Sequence, residues 1–198
     1  MVPDLLVLSA VFLVSLTSIF ILVSSDWRHC IAALALQYTG VFILVYISWP
    51  VEMAIVKMVA GWMAGAILGT AMYSGSDIWK KPEHSLKFGP IFRILSAIII
   101  ALAVTSLVLS SENWLLQISM PIKWGSFILI SIGLLQLSLS SHPLRVIIGL
   151  LTALSGFEIL YAAIEVSLLV TGLLAGVNLG LALVGAYLLL APTMESSQ

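Results

Sequence analysis

Two ionisable residues stand where a charge is costly to keep. Glu158 lies in Ser155-Gly156-Phe157-Glu158-Ile159-Leu160-Tyr161, thirteen residues beyond Arg145. On a helix rising 1.5 Å per residue that is about 20 Å, beyond the reach of a side chain seeking water from that end. A charge in hydrocarbon costs about 2.5–3.5 kcal/mol, so such a residue is by default a candidate for function. A carboxyl held there can load and release a proton near neutral pH. The alternative is a protonated acid that hydrogen-bonds a neighbouring helix as packing. Lys57, in Ile55-Val56-Lys57-Met58-Val59, could trade protons or pair with a carboxylate, or instead reach out to the headgroups. Glu165 follows Glu158 by seven residues. On one helix that spacing shares a face, so the two could be steps of a proton relay, or Glu165 could be a solvated end residue. Gln37 and Asn178 are neutral amides in apolar runs and are candidates for the same path or for interhelical hydrogen bonds. His29 and His142 adjoin Arg28 and sit close to Arg145 at one membrane edge, where they offer proton entry points or are plain surface residues. His84 has no evident role.

The rest of the chain supplies only apolar helices to position these groups. Of 198 residues, 61% are hydrophobic and 9% charged. A soluble domain carries about 25% charged residues, and a surface this poor in charge is stable only in lipid. A net charge of -1 excludes the clustered basic surface of a nucleic-acid binder. A single cysteine, Cys30, excludes a disulfide framework and a cysteine-based metal cluster, and no Cys or His pair has zinc spacing. Neither a flavin, quinone or nucleotide motif nor iron–sulfur cysteines are present, so no cofactor and no catalytic residue is expected. Met1-Val2-Pro3-Asp4 lacks the basic start of a secretory signal, and the following run reads as a retained span.

About 20 apolar residues cross a bilayer as a helix, and the runs are far too long and too uniform for barrel strands. Punctuation gives spans at Leu5–Val23, His29–Ser48, Glu52–Tyr73, Ile91–Leu109 and Pro121–Leu139. Two more share Val146–Leu190, with a break expected between Glu165 and Gly172 near Ser167 and Thr171. The expected fold is therefore an all-α polytopic membrane protein of about seven transmembrane helices, forming a single membrane domain over 1–198. Residues 1–74 hold helices 1–3, 75–89 a polar loop, 90–119 a linking helix, 120–191 helices 5–7 and 192–198 a tail.

Alternating the loops puts Arg28, Lys80, Lys81, Lys87, Arg93 and Arg145 on one side and only Lys123 on the other. The positive-inside rule makes the first side cytoplasmic, with the N-terminus outside and the C-terminus inside. Trp27, Trp49, Trp79, Trp114 and Trp124 fall at span edges, as headgroup anchors do, whereas Trp62 falls mid-span and reads as packing. Gly61-x-x-x-Gly65-x-x-x-Gly69 and Gly172-x-x-x-Gly176-x-x-x-Gly180 give two smooth helix faces that imply tight neighbours. The separation from Gln37 to Lys57 equals that from Glu158 to Asn178. That match suggests two parallel three-helix repeats, spans 1–3 and 5–7, joined by span 4.

Arg145-Val146-Ile147-Ile148-Gly149-Leu150, followed by Ser155-Gly156-Phe157-Glu158-Ile159-Leu160, resembles the second helix of the small K-type subunit of respiratory complex I, with Glu158 at the buried glutamate. Asn178-Leu179-Gly180-Leu181-Ala182-Leu183 resembles the end of that subunit's third helix. The family's second buried glutamate would fall near Gly176, and its absence departs from a complete K-type proton path. With its additional N-terminal and linking helices, the chain looks more like the component E subunit of hydrogenase-4 and formate hydrogenlyase-type complexes. The resemblance implies a non-catalytic membrane-arm subunit of a complex I-like, hydrogenase-like or Mrp-antiporter-like assembly. It also implies partnership with antiporter-like subunits and lipids, proton or cation translocation through buried charges, and a place in a prokaryotic plasma membrane or a thylakoid. A stand-alone secondary transporter and a purely structural scaffold are the competing readings. The polar loop Ser74–Gly89 is expected to contact a neighbouring subunit.

Overall fold

The computed structural model describes residues 4–74, 89–111 and 118–195. Among them run seven helices long and apolar enough to cross a membrane, and no strand. They are α1 (Asp4–Val23), α2 (Trp27–Tyr46), α3 (Val51–Ser74), α4 (Pro90–Ser110), α5 (Met120–Leu139), α6 (Pro143–Ile164) and α7 (Leu168–Glu195). The chain is an all-α polytopic membrane protein. In lipid every backbone N–H and C=O must find its partner within the segment, and a helix of this length does that while spanning the hydrocarbon. The outer surface fits lipid: Leu5, Phe12, Ile91, Leu102 and Leu169 are all exposed.

The helix ends have local causes. Asp26 caps α2, its Oδ1 accepting from the Arg28 backbone N–H at 3.0 Å. Proline stands in the first turn of α4, α5 and α6, where its missing N–H costs nothing. The break between α6 and α7 lies at 165–167, inside the expected interval, although no Gly or Pro marks it. Glu165 there turns to extended backbone at φ -144° and ψ 143°. The last helix continues to Glu195, beyond the apolar run and into the segment expected as a tail. Trp79, Trp114, His84 and most of the loop 75–89 lie outside the described residues.

Helices α5 and α6 make the most intimate pair, α2 lies between α1 and α3, and α4 rests on α5 and α1. Contacts also join α1 to α5, α2 to α6 and α3 to α7. At the end carrying the arginines, α1 is held by two of them. Arg93 Nη1 donates to the Leu22 carbonyl at 3.0 Å, and Arg145 donates to the Ser24 carbonyl. The last carbonyls of a helix have no partner of their own, and a cation there also suits the helix dipole.

The two glycine faces differ. A Cβ at Gly61 would run into the Tyr38 ring, while one at Gly65 or Gly69 would meet only Ile31 at ordinary distance. Gly172, Gly176 and Gly180 of α7 have no described atom within 4 Å of the place a Cβ would take. The tight neighbour expected for that face is not supplied from within the described chain. The closest approach of backbone to backbone is at Gly133 and Gly156, between α5 and α6: a Cβ on Gly156 would lie 2.6 Å from the Ser126 carbonyl oxygen.

Candidate proton-carrying site

The helices converge on one carboxyl. Glu158 of α6 and Lys57 of α3 are both fully buried, and Lys57 Nζ pairs with Glu158 Oε1. Each stands six residues from the end of its helix, Ile164 and Val51, so both lie about 9 Å in from the same end of the bundle. The pairing relieves each residue of the cost of a lone charge at that depth. Asn178 of α7 adds a second donor, its Nδ2 reaching the same Oε1 at 3.0 Å. The Asn178 carbonyl oxygen in turn accepts from the Tyr38 hydroxyl of α2 at 3.2 Å. Four helices thus meet in one network: α3, α6, α7 and α2. Glu158 Oε2 is buried and has no hydrogen-bond partner among the described residues.

From this cluster a line of buried polar groups runs toward the arginine end. Ser155, one turn along α6, is buried, its hydroxyl donating to the Leu151 carbonyl at 2.7 Å. Thr152, a further turn on, accepts at Oγ1 from Gln37 Nε2 at 3.3 Å. Gln136 of α5 donates from Nε2 to the Arg145 carbonyl at 3.0 Å. Gln37, Gln136, Thr152, Ser155 and Arg145 are all buried. On α6 the sequence Arg145, Thr152, Ser155, Glu158 covers about 20 Å of rise. The side-chain oxygens of Gln37 and Gln136 accept no hydrogen bond from the described residues. A buried acceptor of that kind costs about 1–3 kcal/mol, and its free lone pairs can take a donor.

Toward the opposite end the buried side chains are mostly apolar, with Lys123 and Ser126 of α5 also buried there. Ile159, Ala162, Ala54 and Trp49 are buried together there. Trp49, between α2 and α3, donates from Nε1 to the Glu165 carbonyl at 3.0 Å and meets Tyr161 edge-on at 6.5 Å. The indole ties the α2–α3 turn to the α6–α7 turn. Buried polar side chains thus lie along α6 toward the arginine end, and Trp49 and its apolar neighbours pack at the other.

The residues singled out from the sequence divide. Glu158, Lys57, Asn178 and Gln37 stand in or beside the cluster. Lys57 is not extended to the headgroups; it lies inside, on Glu158. Glu165 is a correction. Helix α6 ends at Ile164, so the shared helical face implied by a seven-residue spacing does not exist, and Glu165 is exposed beyond the helix end. His29 lies at the arginine end, exposed, with Nδ1 3.3 Å from Asp26 Oδ2. His142 occupies the capping position of α6, three residues before Arg145. Trp62 is half exposed and donates to the Ala35 carbonyl at 3.1 Å, so it packs at the lipid-facing margin of α2 and α3.

Tyr38, Thr152, Ser155 and Gln136 are absent from the sequence-based set. Hydroxyls in an apolar helix ordinarily bond back to their own turn, as Ser155 does to Leu151 at 2.7 Å, and carry no mark of function. Tyr38 had a readable signal: a phenol at mid-span must find a partner for its hydroxyl. Comparison with protein-family models, with curated proteins and with solved structures gives no match.

Proposed function

We propose that the protein is a non-catalytic membrane-arm subunit of a complex I-like or group 4 hydrogenase-like respiratory complex, contributing to proton or cation translocation through Glu158. The observation that carries this reading is the fully buried Lys57–Glu158 pair with one carboxylate oxygen unpartnered. Ionisable groups at membrane depth are expensive and mark ion pathways far more often than they serve stability, because apolar residues pack as well at lower cost. The polar line from Arg145 to Glu158 supports proton traffic from the arginine end. By the positive-inside rule that end is cytoplasmic, the N-terminus outside and the C-terminus inside. The apolar surface and the near absence of a described extramembrane domain suit a subunit surrounded by lipid and other membrane subunits, antiporter-like ones included. The host membrane is a prokaryotic plasma membrane or a thylakoid, and the redox chemistry belongs to partners.

In this scheme Glu158 alternates between a carboxylate paired with Lys57 and a neutral acid, and Lys57 supplies the charge that the proton displaces. The test is Glu158→Gln in the native host. Co-purification under mild detergent and respiration-driven acidification of inverted vesicles are measured together. Retained association with the complex and loss of pumping are expected. Unchanged pumping returns Glu158 to a packing role. A chain that purifies alone and moves substrate in liposomes replaces the subunit reading with that of a transporter.

A further inference from the structure

The two oxygens of Glu158 are not equivalent, and the difference assigns roles to residues beyond the ion pair. Oε1 takes both donors, Lys57 Nζ and Asn178 Nδ2. Oε2 is buried and takes none from the described residues. Asn178 is itself held, since its carbonyl oxygen accepts from Tyr38, which fixes which end of the amide faces the carboxylate. Tyr38 is held in turn by Gly61, which leaves room for its ring against α3.

We propose that Asn178 and Tyr38 are positioning residues that keep Oε1 of Glu158 on Lys57 and reserve Oε2 as the oxygen that takes up and releases the proton. This rests on the proposed function of the same site. The step balances simply. A proton arriving at Oε2 forms an O–H bond, the carboxylate becomes a neutral acid, and Oε1 becomes its carbonyl oxygen. Lys57 keeps its proton and loses its counter-charge, which makes it the group that must respond next. Asn178 keeps its bond to Oε1 in both states, because an amide N–H donates to a carbonyl as it does to a carboxylate. The carboxyl therefore does not have to rotate between states. Tyr38 acts at one remove: without its hydroxyl the Asn178 amide is free to flip and present its own oxygen to Glu158, an acceptor facing an acceptor.

The experiment is infrared difference spectroscopy of the purified protein across a pH titration, with Glu158→Gln identifying the carbonyl band of the protonated Glu158. If Oε1 is the carbonyl and accepts from Asn178, Asn178→Leu moves that band to higher wavenumber. Tyr38→Phe, which preserves the ring and its packing, broadens the band or moves it the same way by a smaller amount. Asn178→Gln, able to donate from the same helix position, restores a low-wavenumber band. Size-exclusion elution at the wild-type position establishes that each variant is folded. If Asn178→Leu misfolds, Tyr38→Phe alone decides. A band that none of these variants moves overturns the assignment of Oε2 while leaving translocation through Glu158 standing. Absence of any band that Glu158→Gln removes overturns the assignment and the translocating role together.

Discussion

Lys57→Met is the perturbation that best separates what the buried pair does for the fold from what it does for function. The side chains are similar in volume, so packing changes little. What changes is charge: among the described residues Glu158 is left with Asn178 as its donor, at 3.0 Å. Removing one partner of a buried ion pair costs about 3–5 kcal/mol, chiefly because the other charge stays buried and unmatched. At about 1.4 kcal/mol per power of ten, the folding equilibrium falls by roughly two to three and a half decades. The single variant Glu158→Gln strands the lysine in the same way. The double variant, Lys57→Met with Glu158→Gln, carries no charge at the site, and the new amide keeps an oxygen for Asn178. It should recover at least about 2 kcal/mol of the loss, since replacing a buried pair entirely is often neutral or better. The assay is unfolding by added denaturing detergent in mild micelles, followed by tryptophan fluorescence and circular dichroism. Translocation should stay absent in the double variant although stability returns. Strict additivity of the two single losses would refute the reasoning, because it would mean that the two side chains do not sense each other in the folded protein.

Further outcomes follow from contacts elsewhere. Gly61→Val pushes a side chain into the Tyr38 ring and should cost about 1–3 kcal/mol in the same unfolding assay. Gly176→Ala, with no described atom within 4 Å of its Cβ, should be neutral or gain up to about 1 kcal/mol from helix propensity. Trp49→Phe keeps an aromatic edge near Tyr161 but removes the indole N–H from the Glu165 carbonyl. A loss of about 0.5–1.5 kcal/mol and faster proteolysis at the α6–α7 turn are expected. Cysteines placed at exposed Glu52 and Arg28 should react with an impermeant maleimide from opposite faces of the membrane, Glu52→Cys from outside and Arg28→Cys only after lysis. Labelling of both from one face would sink the assigned orientation.

Asn178 and Gln37 illustrate how neutral amides divide a role that charge alone could not reveal. Either could have been generic glue between helices. In the fold Asn178 bridges the Tyr38 hydroxyl and the Glu158 carboxylate, whereas Gln37 bonds Thr152 about two turns away on α6. Each has the same spacing along the chain from its charged neighbour in the repeat pattern, yet only one touches the ion pair. The same geometry decides between the two readings of Lys57. A lysine about 9 Å from a helix end can extend outward, and it turns inward here because a carboxylate on α6 lies at the same depth. The glycine faces teach the converse: equal motifs on α3 and α7 meet Tyr38 in one case and open space in the other.

The sequence by itself determined the seven spans, their ends within a few residues, and the one-sided placement of the arginines. These depend on local quantities: the length of apolar run that lipid demands, the proline or aspartate that starts a helix, and the count of charges on each loop. Tertiary structure alone decided that Lys57 meets Glu158, that Tyr38 holds Asn178, and that Glu165 stands outside. Apolar helices of nearly uniform composition carry almost no pairing information in their lipid-facing residues. Which faces meet is settled by close backbone approach, as at Gly133 and Gly156 between α5 and α6, and by the need to match every buried polar group across helices far apart in the chain. The break after Ile164 falls within the interval that the sequence marked, and Ser167 caps the helix that follows, its Oγ accepting from the Val170 backbone N–H at 3.5 Å.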